Sequence, residues 1–111
     1  MRKITFEKIK EVSDLIAKKF RPEKIILFGS FVWGKPDKNS DVDFFIIKKT
    51  NRSLRFLARE IDGFIFPRPF PIDLIVCTPE KVEKRKKMGD FFIKEILNKG
   101  KVLYAKKKKR K

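Results

Sequence analysis

Five residues of this chain have types and spacings that can do chemistry: Gly29 and Ser30, then Asp41 and Asp43, then Asp73. Asp41 and Asp43 stand two apart at the head of a run that continues through Phe44, Phe45, Ile46 and Ile47. Residues two apart on a strand project to the same face, so these carboxylates are expected side by side. Adjacent carboxylates repel unless a positive charge lies between them, and a divalent cation is the usual answer. Gly29 and Ser30 close the short apolar run 25–28, and a glycine there lets backbone N–H groups approach a phosphate closely. Asp73 lies near the start of a further apolar run, 72–77. Three carboxylates around one point can hold two divalent ions, one for a triphosphate and one for an attacking hydroxyl. Asp73 is then the candidate to orient or deprotonate that hydroxyl, while Ser30 and the backbone at Gly29 hold the terminal phosphates.

Plainer readings stand beside this one. A Gly-Ser pair after a strand is commonly a turn, and an Asp-x-Asp is commonly a solvated strand end. A lone aspartate in an apolar strand needs a partner, because an unpaired buried charge is costly; Arg68 and Arg55 are the available cations. The combined spacing, however, should arise by chance in about one sequence per thousand of this length. That rarity favours the chemical reading of the set over the plainer reading of each part.

The elements that must position these residues follow from periodicity. Phe6, Ile9, Val12, Leu15, Ile16 and Phe20 recur at helical spacing over 4–20, and Arg21-Pro22 ends that helix. Residues 24–28 form a buried strand, 30–34 a turn of helix, and 35–40 a loop by composition. The strand at 41–48 is apolar on both faces beyond its carboxylates, as a central strand is. Leu54, Leu57, Ala58 and Ile61 mark a helix over 53–62, followed by a segment with three prolines. After the strand at 72–77, Thr78-Pro79-Glu80 opens a short basic helix and Asp90 caps a last one, with Gly100 as its stop. Residues 101–104 complete an edge strand.

Composition bounds the rest. The 111 residues suffice for one small domain, expected over 1–105, with 106–111 a disordered basic tail. Histidine is absent and Cys77 is the single cysteine, which removes His-dependent catalysis, internal disulfides and cysteine-based zinc sites. No apolar run reaches the roughly 18 residues of a membrane span, and the start lacks the pattern of a signal peptide, so a cytoplasmic protein with no membrane contact is expected. The net charge of +16 favours polyanionic partners such as nucleotides, RNA or an acidic protein. A Lys-rich surface that aids solubility or reflects growth at high temperature is the alternative for the tail.

Phe28-Gly29-Ser30, the segment Ser40-Asp41-Val42-Asp43-Phe44, and Ile72-Asp73-Leu74-Ile75-Val76 together resemble the minimal nucleotidyltransferases of the DNA polymerase beta superfamily. The likeness extends through Thr78-Pro79-Glu80 and the stretch 92–104, so it covers about residues 4–105. It implies an α/β (α+β) fold: a small mixed β-sheet with helices packed on one side. It implies transfer of a nucleoside monophosphate from an NTP, ATP foremost, to a protein or RNA hydroxyl, with two Mg2+ ions. Asp41, Asp43 and Asp73 match the metal-binding and catalytic carboxylates, and Gly29 and Ser30 match the triphosphate-binding pair. Many such proteins are encoded beside a small helical HEPN partner, and some act there as antitoxins. Where the family often has an arginine before the next glycine, this chain has Trp33. Two readings are open for it: packing under the strand, or stacking on a base. Lys35, Arg55 and Arg59 are candidates to replace the missing phosphate contact. Two non-enzymatic alternatives remain, a partner that neutralises a HEPN ribonuclease by binding and a basic nucleic-acid binder working through its tail.

Overall fold

A computed structural model describes residues 4–37 and 40–107. Part of the expected loop (38–39) and most of the expected tail (108–111) therefore lie outside the described residues. The elements run α1 (Phe6–Phe20), β1 (Lys24–Phe28), α2 (Ser30–Trp33), β2 (Val42–Ile47), α3 (Leu54–Phe64), β3 (Ile72–Cys77), α4 (Pro79–Lys87), α5 (Phe91–Lys99) and β4 (Lys101–Ala105).

Local chemistry sets most of these boundaries. The Thr5 hydroxyl accepts from the Lys8 N–H at the start of α1, and Arg21 ends the helix in the left-handed region (φ 49) just ahead of Pro22. Thr78 and Asp90 cap α4 and α5 by accepting from the N–H groups of Lys81 and Ile93. Helix α3 runs past its expected end, through Gly63 to Phe64. The Phe64 ring meets Phe20 edge-on at 5.5 Å, and that packing offsets the glycine's poor helix propensity. Gly100 ends α5 without a left-handed turn (φ −67). A Cβ there would strike the Ile96 carbonyl oxygen and the Ile26 side chain, so glycine is required for closeness to β1.

The four strands pair in the order β3-β2-β1-β4, with β2 and β3 parallel and the other pairs antiparallel. Helix α3 supplies the crossover that two parallel strands need. Strand β4 is an edge, as expected, and its pairing carries on to Lys106, whose N–H donates to the Glu23 carbonyl at 2.9 Å.

The mixed sheet agrees with the sequence; the placing of its helices does not. Ile25, Leu27, Val42, Phe44 and Ile46 point to one face and pack with Ile9, Val12 and Ile16 of α1 and Leu57 and Ile61 of α3. Ile26, Phe28, Phe45 and Ile47 point to the other and pack with Val82 of α4 and Ile93 and Ile96 of α5. Helices thus cover both faces rather than one side. This explains why Phe44 and Phe45, neighbours on opposite faces of β2, are both 0% exposed. Burying a side chain of that size stabilises the fold by about 2–3 kcal/mol. Among the described residues, no helix is long and apolar enough to cross a membrane.

One core position carries a testable cost. The Ser13 hydroxyl on α1 is fully buried and finds no hydrogen-bond partner among the described residues. A buried unsatisfied hydroxyl is unfavourable, and alanine is the better helix former. Ser13→Ala is therefore expected to raise the unfolding free energy by about 1 kcal/mol, read from urea denaturation midpoints.

Candidate active site

The sheet topology brings together residues that lie far apart in the chain. Strand β1 runs antiparallel to β2, and β2 runs parallel to β3. The C-terminal end of β1 therefore meets the N-terminal ends of both other strands. The register places Phe28 opposite Asp43 and Asp43 opposite Asp73, in one row across three strands. Cross-strand partners share a face, roughly 5 Å apart. Asp43, Asp73 and Phe28 accordingly project on the face covered by α4 and α5. Asp41, two residues before Asp43, has the same parity and lies exposed just ahead of β2.

The turn after β1 closes on this row. Gly29 adopts φ 84 and ψ −152, a backbone conformation open to glycine and almost no other residue. A Cβ at this position would run into the Asp43 carboxylate, so the glycine also makes room for that side chain. From Gly29 the chain enters the single turn of α2. The Gly29 carbonyl accepts from the N–H groups of Val32 and Trp33, while those of Ser30 and Phe31 precede the first intrahelical bond. The turn therefore offers backbone donors beside a cluster of carboxylates.

Charge is concentrated here. Burial, with Asp73 and Asp41 nearby, pushes the Asp43 carboxyl up from an ordinary value of 3.8 to about 6. Burial is the larger cause, and the two neighbouring carboxylates add to it. Neither arginine considered as a partner for Asp73 serves as one. Arg68 pairs with Asp62 at 2.6 Å, and Arg55 lies exposed on α3, over the opposite sheet face. Arg59 shares that helix, which packs on the sheet face opposite the carboxylates. Lys35 comes two residues after the end of α2 and is exposed. Among the described residues, no cation lies within ion-pair distance of Asp41, Asp43 or Asp73.

The donor set suits a hard divalent cation: it is all oxygen, carries three negative charges, and holds one carboxyl whose ionisation its neighbours oppose. The three groups stand near one another without closing on one point. Among the described residues, no group of three or more His, Cys, Asp or Glu side chains is already arranged to hold a metal.

Two residues of this region did not stand out in the sequence as functional. Phe28 is a hub, its ring meeting Trp33 at 6.3 Å, Phe45 at 6.5 Å and Phe92 at 5.7 Å. Its position directly before Gly29 was the available signal. Phe92 reads as part of the core stripe of α5, yet it is 46% exposed and sits at the rim beside Phe28. A separate cavity of about 450 Å³ opens between α1 and the segment after α3, lined by Val12, Leu15, Phe66 and Phe70. It is mainly apolar and holds none of the three aspartates.

A family model described as Polymerase beta, Nucleotidyltransferase matches residues 7–109. The structure is similar to that of a candidate nucleotidyltransferase from Sulfolobus solfataricus, with a TM-score of 0.55 and 23% identity over 68% of each chain. At that identity the likeness is one of fold. No curated protein matches the chain in sequence.

Proposed function

Because this chain belongs to the polymerase beta nucleotidyltransferase family, we propose that it transfers a nucleoside monophosphate from an NTP to a hydroxyl. ATP is the donor on this reading, and the acceptor hydroxyl belongs to a protein or an RNA. The observation that carries the proposal is the row Phe28–Asp43–Asp73, with Gly29 pressed against the Asp43 carboxylate. With Asp41 just ahead of β2, this row sets the carboxylates beside the turn at Gly29 and Ser30.

Each residue has a role in this scheme. The N–H groups of Ser30 and Phe31, with the Ser30 hydroxyl, bind the terminal phosphates. Asp41 and Asp43 would hold Mg2+ together with the triphosphate, and Asp73 would complete the set, orient the acceptor hydroxyl and accept its proton. When bound, the divalent metal shields charge on the transferring phosphorus and lowers the pKa of the attacking hydroxyl. The hydroxyl oxygen bonds to the α-phosphorus, the bond to the bridging oxygen breaks, and pyrophosphate leaves. A HEPN-type protein is one acceptor or partner consistent with the family.

Incubating the chain with alpha-labelled ATP, Mg2+ and either total RNA or the products of neighbouring genes tests the reading. Label moving to a macromolecule, and lost with Asp41→Asn plus Asp43→Asn, is the expected result. No transfer to any acceptor, with the double variant still neutralising a helical partner in cells, would replace catalysis with binding alone.

A further inference from the structure

Trp33 is the only tryptophan of the chain and the last residue of α2. One side of its ring leans on Phe28, at 6.3 Å between centroids and a tilt of 35°. The residue is nevertheless 40% exposed. Phe28 holds its place because it is itself buried (6% exposed) and braced edge-on by Phe45 and Phe92. The two readings open for Trp33 are therefore not exclusive. It packs on the residue that ends β1, and it is also partly exposed next to the cross-strand partner of Asp43.

That surface has a specific location. Phe28 is the cross-strand partner of Asp43, so the strip Trp33–Phe28–Phe92 begins beside the carboxylate row. Trp33 follows Ser30 by three residues on one helical turn, a rise of roughly 4.5 Å. The four residues of α2 include no cation, so that helix can hold phosphate only through its backbone and the Ser30 hydroxyl. An indole has few rotatable bonds, and one backed by a fixed ring is ordered before a ligand arrives.

We propose that Trp33 is a specificity-determining residue whose exposed ring stacks on the nucleobase of the bound nucleotide, with Phe28 as its support and Phe92 at the rim. The proposal rests on the nucleotide-transfer reading above. Stacking overlap is larger for a two-ring base, so the platform favours purine over pyrimidine nucleotides. Position 33 then acts on the base rather than on the phosphates.

Because the chain has one tryptophan, emission excited selectively at tryptophan, beyond the absorption of Tyr104, reports on this position alone. The full chain is titrated in Mg2+ with ATP, CTP and inorganic triphosphate, following emission and, in parallel, heat of binding. ATP is expected to quench strongly, CTP less, and triphosphate to bind without quenching. Trp33→Leu should weaken ATP binding roughly ten-fold and leave triphosphate binding unchanged, while Trp33→Phe restores most of the loss. In turnover, Trp33→Leu should raise KM and largely spare kcat. A merely structural role would weaken ATP and triphosphate alike. If ATP gives heat but leaves emission unmoved, and Trp33→Leu binds it like the parent chain, the platform is wrong and the nucleotide reading survives. If neither ATP nor triphosphate gives heat, both readings fall.

Discussion

Asp43→Asn is expected to lower nucleotidyl transfer by roughly 10³-fold and, at neutral pH, to make the protein harder to unfold. The loss follows if this carboxylate helps to neutralise charge at phosphorus: removing about 4 kcal/mol of transition-state stabilisation slows a reaction to that extent. The gain in stability follows from the raised pKa. In the folded chain the Asp43 carboxyl titrates at about 6, against an ordinary 3.8, so folding opposes its ionised form. The folded state binds more protons than the unfolded state between those values, and stability falls as pH rises through that window. The penalty is absent well below pH 3.8 and complete above about pH 6. Asparagine carries no charge and escapes it. Discounted for the solvent that reaches this half-buried side chain, the gain is about 1 kcal/mol, or roughly 4 °C in Tm. Melting curves of both proteins at pH 4 and pH 7.5 should show a small gap at pH 4 and the full gap at pH 7.5. Millimolar Mg2+ should narrow it by binding the parent chain better. Equal melting temperatures at both pH values would mean that the three carboxylates do not burden the fold.

Gly29→Ala is expected to cost about 3 kcal/mol of stability and to abolish nucleotide binding. Two causes add. The backbone at φ 84 and ψ −152 excludes side chains, and the new methyl would meet the Asp43 carboxylate. They can be separated, because Asp43→Ala removes the obstructing oxygen and leaves the backbone strain. Gly29→Ala should therefore cost less in an Asp43→Ala background than alone. Gly63→Ala is the contrast: no atom lies within 4 Å of a Cβ there, and the residue sits inside α3. That change should stabilise the chain by about 0.5–1 kcal/mol. Urea denaturation of the four variants reads all three effects. An unchanged cost for Gly29→Ala beside Asp43→Ala would remove the contact as a cause and leave only the strain.

What the sequence determined by itself is whatever local physics decides. Helical periodicity and short apolar runs marked nearly every helix and strand, and cap chemistry at Thr78 and Asp90 placed two helix starts. Alternation on one strand placed Asp41 and Asp43 on a common face, and the Gly29-Ser30 turn followed from its residue types. Relations between elements were beyond it. Apolar residues on both faces of β2 are equally compatible with helices shared between two faces or with a helix layer on one and a partner on the other. Only the packing of α4 and α5 opposite α1 and α3 chose between them. The pairing of Asp43 with Asp73 depends on the register of two parallel strands joined through α3, and no local pattern encodes a register across 30 residues of chain. Arg55 and Arg68 were plausible partners for Asp73 until tertiary structure set one on the far face and tied the other to Asp62. Trp33 shows the division most plainly. Its identity marked a departure at a chemical site, but its contact with Phe28 and its 40% exposure come only from the tertiary structure.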